Sequence, residues 1–252
     1  MKQFILPAIA AGVILSCGCN SPEKKEQPES KSPAKETPLQ ISGKENGTPC
    51  DITLHEIHFT KTINGADTLI RDEKENGIRF SVGEKKDYFN DPDGKLSNNT
   101  APVLLTKIDN TKPFTLTTKV TPGFTKTGLY NAGVLYIYKN DNHYQKFCFE
   151  QDERGDRRVV SVRTMTTSDD NNHDKITQPF VYMKISSDGQ TIGSYYSLDN
   201  KTWHLARLYR NDYGAELWTG ISAQCPVDTG SFAYFNDMKL TQTSVRDFRM
   251  GE

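Results

Sequence analysis

The chain has 252 residues, of which 31 are Lys or Arg and 32 are Asp or Glu, so its formal net charge at pH 7 is -1. A charge this close to zero, without a basic stripe interleaved with aromatic residues, argues against nucleic-acid binding. The roughly two hundred residues that follow a polar N-terminal region are enough to bury a core without disulfides.

An apolar stretch begins after the first three residues and runs from Phe4 to Leu15. It is too short to span a bilayer but has the length of the hydrophobic region of a secretion signal. It leads into Ile14-Leu15-Ser16-Cys17, which resembles a bacterial lipobox. We therefore expect a signal peptide over residues 1–16 and lipidation of Cys17, which would anchor the protein to a membrane of the bacterial cell envelope, in the periplasm or on the outer surface. Cys19 is the alternative lipidation site, and a cleaved signal without lipid is the alternative interpretation.

From Asn20 to about Asn46 the composition changes to Ser, Pro, Lys, Glu and Gln with almost no apolar residue. Such a segment cannot bury enough surface to offset the entropy of ordering it. We predict that residues 17–46 form the lipidated cysteine and a disordered tether, and that residues 47–252 form one domain. A partner-binding arm is the alternative role for the tether.

The predicted domain contains three cysteines, Cys50, Cys148 and Cys225, at wide spacing and without a C-x-x-C pair. One disulfide is possible in an oxidising envelope compartment, but the spacing does not identify which two residues would form it. The same spacing argues against a metal site built from these cysteines.

Short alternating runs separated by turn residues recur along the domain, and no long helical periodicity interrupts them. The predicted strands are Leu54–Thr60, Ile78–Val82, Phe114–Val120, Gly133–Tyr138, Tyr144–Glu150, Val159–Thr164, Phe180–Ser186, Ile192–Ser197, Leu217–Ala223 and Ser231–Leu240. Many short strands at fairly even spacing predict an all-β fold in which two antiparallel sheets form a β-sandwich.

The run Tyr144–Glu150 separates apolar from polar side chains most clearly. Phe147 and Phe149 point to one face, whereas Lys146 and Glu150 point to the other. The turn Glu153–Asp156 can then close a hairpin with the next strand. We therefore predict a buried apolar face and a solvated polar face.

The register across this hairpin is predicted from that turn, with Asp152 opposite Arg157. In the core, this register pairs Phe149 with Val160 and Phe147 with Val162. On the polar face it pairs Lys146 with Arg163, Cys148 with Ser161 and Glu150 with Val159.

Several segments of the domain carry a resemblance to a known family. They are Tyr144-x-Lys146-x-Cys148-x-Glu150, Val162-x-Thr164 followed by Ser168-Asp169, Tyr196–Trp203 and Gly220–Gln224. Together they resemble an uncharacterised concanavalin A-like lectin/glucanase family related to the fungal regulator-of-enolase proteins, over about residues 80–240. The resemblance implies a concanavalin-like jelly roll and no settled activity.

The polar face of the hairpin is the candidate ligand site. It offers Lys146, Glu150, Ser161 and Arg163, to which the resemblance adds Asp169 and Asp87. Cations, carboxylates and a hydroxyl are suitable partners for the hydroxyl groups of a glycan or polysaccharide, which lectin-like sandwiches bind on a concave sheet face. The alternative is a solvated cross-strand ladder of salt bridges.

No local pattern establishes catalysis. Glu150-Gln151-Asp152 resembles the E-x-D start of a glucanase motif, but Arg154 stands where the third carboxylate should be. A polar hairpin tip explains this run better, and we expect a carbohydrate-binding protein rather than an enzyme. A glycoside hydrolase-like enzyme with carboxylates from separate strands, and a structural or protein-interaction module, are the alternatives.

Two segments, Ser168–Asp174 and Asp91–Gly94, are rich in oxygen ligands. Neither has the full ligand spacing of a calcium loop, so we expect solvated loops and no cofactor, with calcium as the alternative. His55-Glu56-Ile57-His58 is not a zinc motif, because in a strand a spacing of three directs the two imidazoles to opposite faces.

Overall fold

The structure, a computed structural model, describes residues 41–252. The expected signal peptide, the candidate lipidation site Cys17 and the expected tether up to residue 40 lie outside the described residues. No helix within residues 41–252 is long and apolar enough to cross a membrane.

The described part of the chain consists of strands joined by turns and two short 3₁₀ helices, Ala66–Thr68 and Lys74–Asn76. The strands are β1 (Thr48–Leu54), β2 (Ile57–Ile63), β3 (Ile70–Asp72), β4 (Ile78–Gly83), β5 (Tyr88–Asn90), β6 (Ser97–Asn99), β7 (Val103–Asp109), β8 (Phe114–Pro122), β9 (Ala132–Asn140), β10 (His143–Gln151), β11 (Arg157–Met165), β12 (Thr167–Lys175), β13 (Val181–Ser187), β14 (Thr191–Ser197), β15 (His204–Arg210), β16 (Glu216–Gln224) and β17 (Gly230–Thr241).

These strands form two large antiparallel sheets and one hairpin. The eight-stranded sheet has the order β1-β2-β7-β16-β9-β10-β11-β12, and the seven-stranded sheet has the order β15-β14-β13-β8-β17-β4-β3. The hairpin β5-β6 forms a separate two-stranded sheet. The two-sheet antiparallel β-sandwich predicted from the sequence is therefore confirmed.

The main core lies between the two sheets. Leu135, Phe147 and Ile221 contribute to it from the eight-stranded sheet, and Phe80 and Leu116 contribute from the seven-stranded sheet. Along β8 buried and partly exposed residues alternate strictly, as expected of a strand that is covered on one face only. Because only the face toward the opposite sheet is fully covered, apolar and polar side chains alternate along such a strand, and the strand predictions depend on that alternation.

A second apolar cluster covers the outer face of the eight-stranded sheet. Tyr88 lies at its centre, with its ring edge-on to Tyr136, Tyr138 and Tyr144 at centroid distances of 6.3, 6.2 and 5.1 Å. Tyr88 belongs to residues 84–102, which we call the covering segment. Because this segment packs on the outer face, every residue of β10 is buried, and the prediction that Lys146 and Glu150 lie on a solvated face is wrong.

The register of the β10–β11 hairpin differs by one residue from the predicted one. Phe149 lies opposite Val159, Cys148 opposite Val160 and Lys146 opposite Val162. Asp152 lies in the loop and not opposite Arg157, which pairs with Gln151.

A shorter loop than expected causes this difference. The backbone N–H of Asp152 donates to Asp156 O at 2.8 Å, so only three residues lie between the two ends of the turn, and Gly155 has φ 81°. A three-residue loop with glycine in the left-handed region is a common hairpin connection. One residue fewer in the loop moves every side chain of β11 to the face opposite the predicted one.

Two other local predictions also need correction. Leu54–Thr60 is not one strand, because His55 and Glu56 both have positive φ, 46° and 66°, and form the tight turn between β1 and β2. Ser168–Asp174 is not a loop, because it lies within the edge strand β12. The other predicted strands each overlap one observed strand, whereas six strands of the described region are additional: β3, β5, β6, β7, β12 and β15.

The last residues assigned to the tether lie against the domain. Asn140 Nδ2 donates to Ile41 O at 3.0 Å, and the backbone N–H of Asn46 donates to Tyr138 Oη at 3.0 Å. Asn46 Nδ2 also donates to the hydroxyl of Tyr88 at 3.3 Å. Within the described residues, contacts with the folded domain therefore extend to Ile41.

The three cysteines of the described region are all free thiols. Cys148 lies in the outer cluster, Cys225 lies in the main core, and Cys50 is partly buried at the edge of that core.

Candidate functional site

A row of buried polar side chains crosses the outer face of the eight-stranded sheet. Lys146 Nζ donates to Gln224 Oε1 at 3.0 Å and to Asp87 Oδ1 at 3.0 Å. Gln224 Nε2 donates to Glu150 Oε2 at 2.9 Å. One amide therefore joins a buried ammonium to a buried carboxyl group, and Lys146 and Glu150 keep only 2% and 7% of their surface exposed.

The register of three neighbouring strands explains why these side chains meet. Ala132 of β9 lies opposite Gln224 of β16 on one side and opposite Glu150 of β10 on the other. The backbones of Gln224 and Glu150 are therefore two inter-strand spacings apart, or about 10 Å. Their long side chains can bridge this distance above the small side chain of Ala132. A larger side chain at position 132 would fill the space that this hydrogen bond occupies.

Burial sets the protonation of this row. It raises the pKa of Glu150 to about 8, against the opposing effect of the Lys146 charge, and the carboxylates of Asp87 and Asp170 add to the rise. Burial also opposes the charge of Lys146, but the Asp87 carboxylate leads the interactions that hold the Lys146 pKa above its ordinary value. At neutral pH the row therefore holds a charged lysine and a protonated Glu150.

An open cleft of about 400 Å³ lies above this row. Its sheet-side lining contains Lys146, Glu150 and Gln224 together with Val160 and Val162 of β11. The remaining lining comes from β12, the covering segment and two loops: Asp170, Asn172, Asp87, Phe89, Asp91, Leu96, Tyr130 and Glu153.

The covering segment is fixed at two points, so this side of the cleft has a defined position. Lys86 and Cys225 exchange backbone hydrogen bonds of 3.0 and 2.9 Å. The backbone N–H of Asn90 donates to Ser168 Oγ at 3.0 Å, and Asn90 Nδ2 donates to Thr166 O at 3.0 Å. Asp87 and Phe89, which line the cleft, lie between these two attachments.

Tyr130 stands at the rim with its side chain exposed and its backbone in an unusual conformation. Its φ is 65°, a region that bulky side chains rarely adopt. The backbone N–H of Tyr130 donates to Gln151 O at 2.6 Å, and Tyr130 O accepts from Gln224 Nε2 at 3.0 Å. Gln224 therefore positions both the buried row and the aromatic rim.

Of the six candidate ligand residues, three come together in the cleft. Lys146, Glu150 and Asp87 line it, and their charges interact with one another. Glu150 and Lys146 are buried rather than outward-facing, however, because the covering segment packs over them.

Ser161, Arg163 and Asp169 lie on the opposite face of the same sheet. The Ser161 hydroxyl is hydrogen-bonded to His173 Nε2 at 2.9 Å and accepts from Arg207 Nε at 3.0 Å. Arg207 also forms an ion pair with Asp169 at 3.4 Å. These contacts join β11 and β12 to β15 of the other sheet. The one-residue register difference moves Ser161 and Arg163 out of the cleft, and Asp169, which pairs with Arg163 across the two strands, lies on the same face as they do.

Arg163 also contributes to the contacts between the two sheets. Its guanidinium forms an ion pair with Asp212, lies 4.4 Å from the Tyr209 ring centroid and is 17% exposed. The imidazole of His143 contacts the same carboxylate at 3.1 Å. This network closes one side of the sandwich and does not reach the cleft.

Sequence reasoning missed ten of the lining residues, and Gln224, Tyr130 and Asp170 are three of them. Gln224 belongs to a segment that carries the family resemblance. Asp170 follows Asp169 directly, and recognising this segment as a strand paired with β11 would have placed Asp170 beside Val162 in the cleft. Tyr130 follows a Gly-Leu pair in a loop and carries no pattern that indicates its role.

The hairpin explanation of Glu150-Gln151-Asp152 holds for Asp152, which lies in the β10–β11 loop, whereas Glu150 lies buried within β10 and lines the cleft. Asp152 Oδ1 accepts from the backbone N–H groups of Arg154 and Asp156 at 2.9 and 2.8 Å, and its other oxygen accepts from Arg158 at 2.5 Å. Burial opposes its charge, but these donors hold the Asp152 pKa below its ordinary value. Among residues 41–252, no group of three or more His, Cys, Asp or Glu side chains is placed to hold a metal ion.

The fold and cleft together define a class of protein, an antiparallel jelly-roll β-sandwich with a polar cleft on one outer sheet face. Within that class, the chain belongs to the family described as Protein of unknown function (DUF1349), whose pattern matches residues 66–243. No curated protein matches the chain.

Solved structures share the fold at low sequence identity. A functionally unknown protein from Saccharomyces cerevisiae is 19% identical, with a TM-score of 0.65 over 73% of this chain and 96% of its own. The GH43B protein of a Bacteroides ovatus xyloglucan PUL is 12% identical, with a TM-score of 0.58 over 81% of this chain and 40% of its own. The GH43 protein BlXynB from Bacillus licheniformis is 17% identical, with a TM-score of 0.52 over 66% and 32%. The chain spans well under half of either GH43 protein, and these likenesses establish the fold alone.

Proposed function

We propose that this domain binds carbohydrate in the cleft between Tyr130 and the covering segment. The observation that carries the proposal is the arrangement of the cleft. A preformed row of satisfied polar groups, Lys146, Gln224 and Glu150, lies beneath an aromatic rim. The volume of about 400 Å³ falls in the range of small-molecule sites.

The chemistry of the lining suits a sugar. Carboxyl and amide groups donate to and accept from hydroxyl groups, and a protonated Glu150 can do both. Tyr130 and Phe89 offer apolar ring surface to the C–H face of a sugar ring. Lys146 binds Asp87 and Gln224 and so holds these two side chains in place. The hydrogen-bonding groups of the cleft are therefore already ordered in the free protein, which lowers the entropic cost of binding a ligand.

The solved structures with this fold give independent but general support. Several of them are GH43 proteins, and one of these belongs to a Bacteroides ovatus xyloglucan PUL. This supports a carbohydrate ligand as a class and identifies no residue of this chain.

The test is calorimetric titration of the full-length protein with a panel of oligosaccharides. We expect binding to at least one, with loss of that binding in Tyr130→Ala. Tyr182→Ala is the matched control, because Tyr182 is a half-buried tyrosine on the seven-stranded sheet. The absence of binding to every oligosaccharide, or equal losses in the two variants, would overturn the proposal.

A second candidate function, glycosidic bond cleavage, is favoured by one observation. Burial raises the pKa of Glu150 to about 8, so this carboxyl group carries a proton at neutral pH, as a general acid must. Product release measured by chromatography, lost in Glu150→Gln and kept in Glu216→Gln, an exposed carboxyl group outside the cleft, would establish it. Binding without product release would leave the cleft as a binding site.

We further propose that the domain is lipid-anchored through Cys17 in the bacterial cell envelope, in the periplasm or at the outer surface. The support is the lipobox-like Ile14-Leu15-Ser16-Cys17 after an apolar stretch. Cys17→Ala should move the full-length protein from the membrane fraction to the soluble fraction, whereas Cys19→Ala should not. Unchanged membrane retention of Cys17→Ala would contradict the proposed lipid anchor.

A further inference from the structure

The charges around the cleft are strongly unbalanced. Five carboxyl side chains line it, whereas Lys146 is the one cationic side chain among the described lining residues. The Lys146 ammonium is already bound to Asp87 and Gln224 and keeps 3% of its side-chain surface exposed. It therefore neutralises Asp87 and offers little positive charge to a ligand.

The other carboxylates remain available to a ligand. Asp170 is exposed on β12, and Glu153 is exposed on the β10–β11 loop, where it forms a long, exposed ion pair with Arg154 at 3.9 Å. Asp91 lies on the covering segment and is partly exposed. The lining positions therefore surround the opening with negative charge from three different elements.

These carboxylates are spread around the cleft and do not converge on one point. No group of three of them, or of other ligating side chains within residues 41–252, is placed to hold a metal ion. Their combined effect is a negative potential over the opening, which attracts cations and repels anions. The pKa of the Tyr130 hydroxyl is consistent with this potential, because burial and then the carboxylates of Glu153 and Glu150 raise it.

We infer that the ligand of this cleft is a glycan that carries free amino groups. The inference rests on the proposed carbohydrate binding and identifies its class. A protonated amine on a sugar satisfies Asp170, Asp91 or Glu153, while the hydroxyl groups of the same sugar reach the polar row below. The aromatic rim favours the same ligand, because an ammonium close to Tyr130 or Phe89 gains a cation–π contact.

Lys146 provides a precedent for that contact in this cleft. Its ammonium lies 5.7 Å from the centroid of the Phe89 ring. A glycan that carries carboxylate or sulfate groups would instead place its charges among like charges, which lowers affinity.

The test compares two ligands that differ in the amine alone. Calorimetric titration of the full-length protein with a glucosamine oligomer and with the N-acetylglucosamine oligomer of equal length should give at least about fivefold tighter binding of the amine form at low salt. The difference should shrink as ionic strength rises, because salt screens exposed charges. Equal binding, or tighter binding of the acetylated form, would overturn this inference and leave the proposed function intact. Failure of every oligosaccharide would overturn both.

Neighbouring aspartates on β12 supply the variant and its control. Asp170 lines the cleft, whereas Asp169 points to the other face and pairs with Arg207. Asp170→Asn should weaken binding of the glucosamine oligomer by about two- to fivefold and leave binding of the acetylated oligomer unchanged. Asp169→Asn should change neither. Equal effects of the two substitutions, or no effect of Asp170→Asn on the amine form, would overturn the inference.

Discussion

Gln224 and Glu150 form a hydrogen bond of 2.9 Å although a whole strand, β9, separates the strands on which they lie. The bond requires the small side chain of Ala132 between them and the exclusion of water by the covering segment above. A buried carboxyl group next to a neutral amide is stable when protonated, because removing its proton would leave a charge with little solvation.

The first prediction concerns the pH dependence of stability at Glu150. Its ordinary pKa of 4.5 is raised to about 8 in the folded protein. A raised pKa means that the folded state holds the proton more tightly than the unfolded state. The associated stability is therefore complete below about pH 4.5 and is lost as the pH rises through about 8. Glu150→Gln keeps an acceptor for Gln224 but cannot titrate.

Urea denaturation between pH 4.5 and 9 provides the measurement. The stability of the native protein relative to Glu150→Gln should fall by up to about 5 kcal/mol across this window. Glu153→Gln, at the exposed rim, should retain the pH profile of the native protein. Parallel profiles for the native protein and Glu150→Gln would show that Glu150 is ionised at neutral pH.

The second prediction concerns the ion pair between Lys146 and Asp87, whose charged atoms lie 3.0 Å apart. Lys146→Met should destabilise the domain by about 3 kcal/mol, because it leaves a mostly buried carboxylate without its partner. Adding Asp87→Asn should recover part of that loss, since residues in contact are energetically coupled. Lys107→Met, which breaks an exposed pair with Glu216, should have little effect on the urea midpoint. Additive losses in the Lys146 and Asp87 double variant would contradict a direct pair.

Much of the fold follows from alternation in the sequence, as β8 and β10 illustrate. Phe147 and Phe149 were placed correctly in the core because a strand that packs on a second sheet must alternate. The burial of Lys146 could not be predicted locally. It depends on Tyr88 and the rest of the covering segment, which lies more than forty positions earlier in the chain and packs on the reverse face.

Register was less predictable than strand position for a definite physical reason. The side chains of β11 change faces with one residue of loop length, and the sequence around Gly155 is compatible with a loop of three or four residues. Ser161 and Arg163 were assigned to the cleft on that basis, whereas Val160 and Val162 line it. The turn at His55-Glu56 was missed because it contains none of the Gly, Asn or Asp residues that mark two-residue hairpin turns in a sequence.

The third prediction tests this register directly. Cys148 faces Val160 across the β10–β11 pair, at a separation that a disulfide can span. Val160→Cys should therefore form a disulfide with Cys148 when the protein is refolded under oxidising conditions. Ser161→Cys, on the opposite face, should not. Peptide mapping by mass spectrometry distinguishes the two, and a Cys148 bond to position 161 would restore the register expected from the four-residue loop.

The fourth prediction separates the two properties of Tyr130, its backbone strain and its exposed ring. A non-glycine residue at φ 65° costs free energy that glycine does not incur. Tyr130→Gly should therefore be more stable than Tyr130→Ala by about 1 kcal/mol, as measured by urea denaturation. Both variants lack the ring and should lose oligosaccharide binding to the same extent. Equal stabilities would mean that Tyr130 leaves the left-handed region in solution. Binding retained by Tyr130→Gly would mean that the backbone at this rim, rather than the ring above it, contacts the sugar.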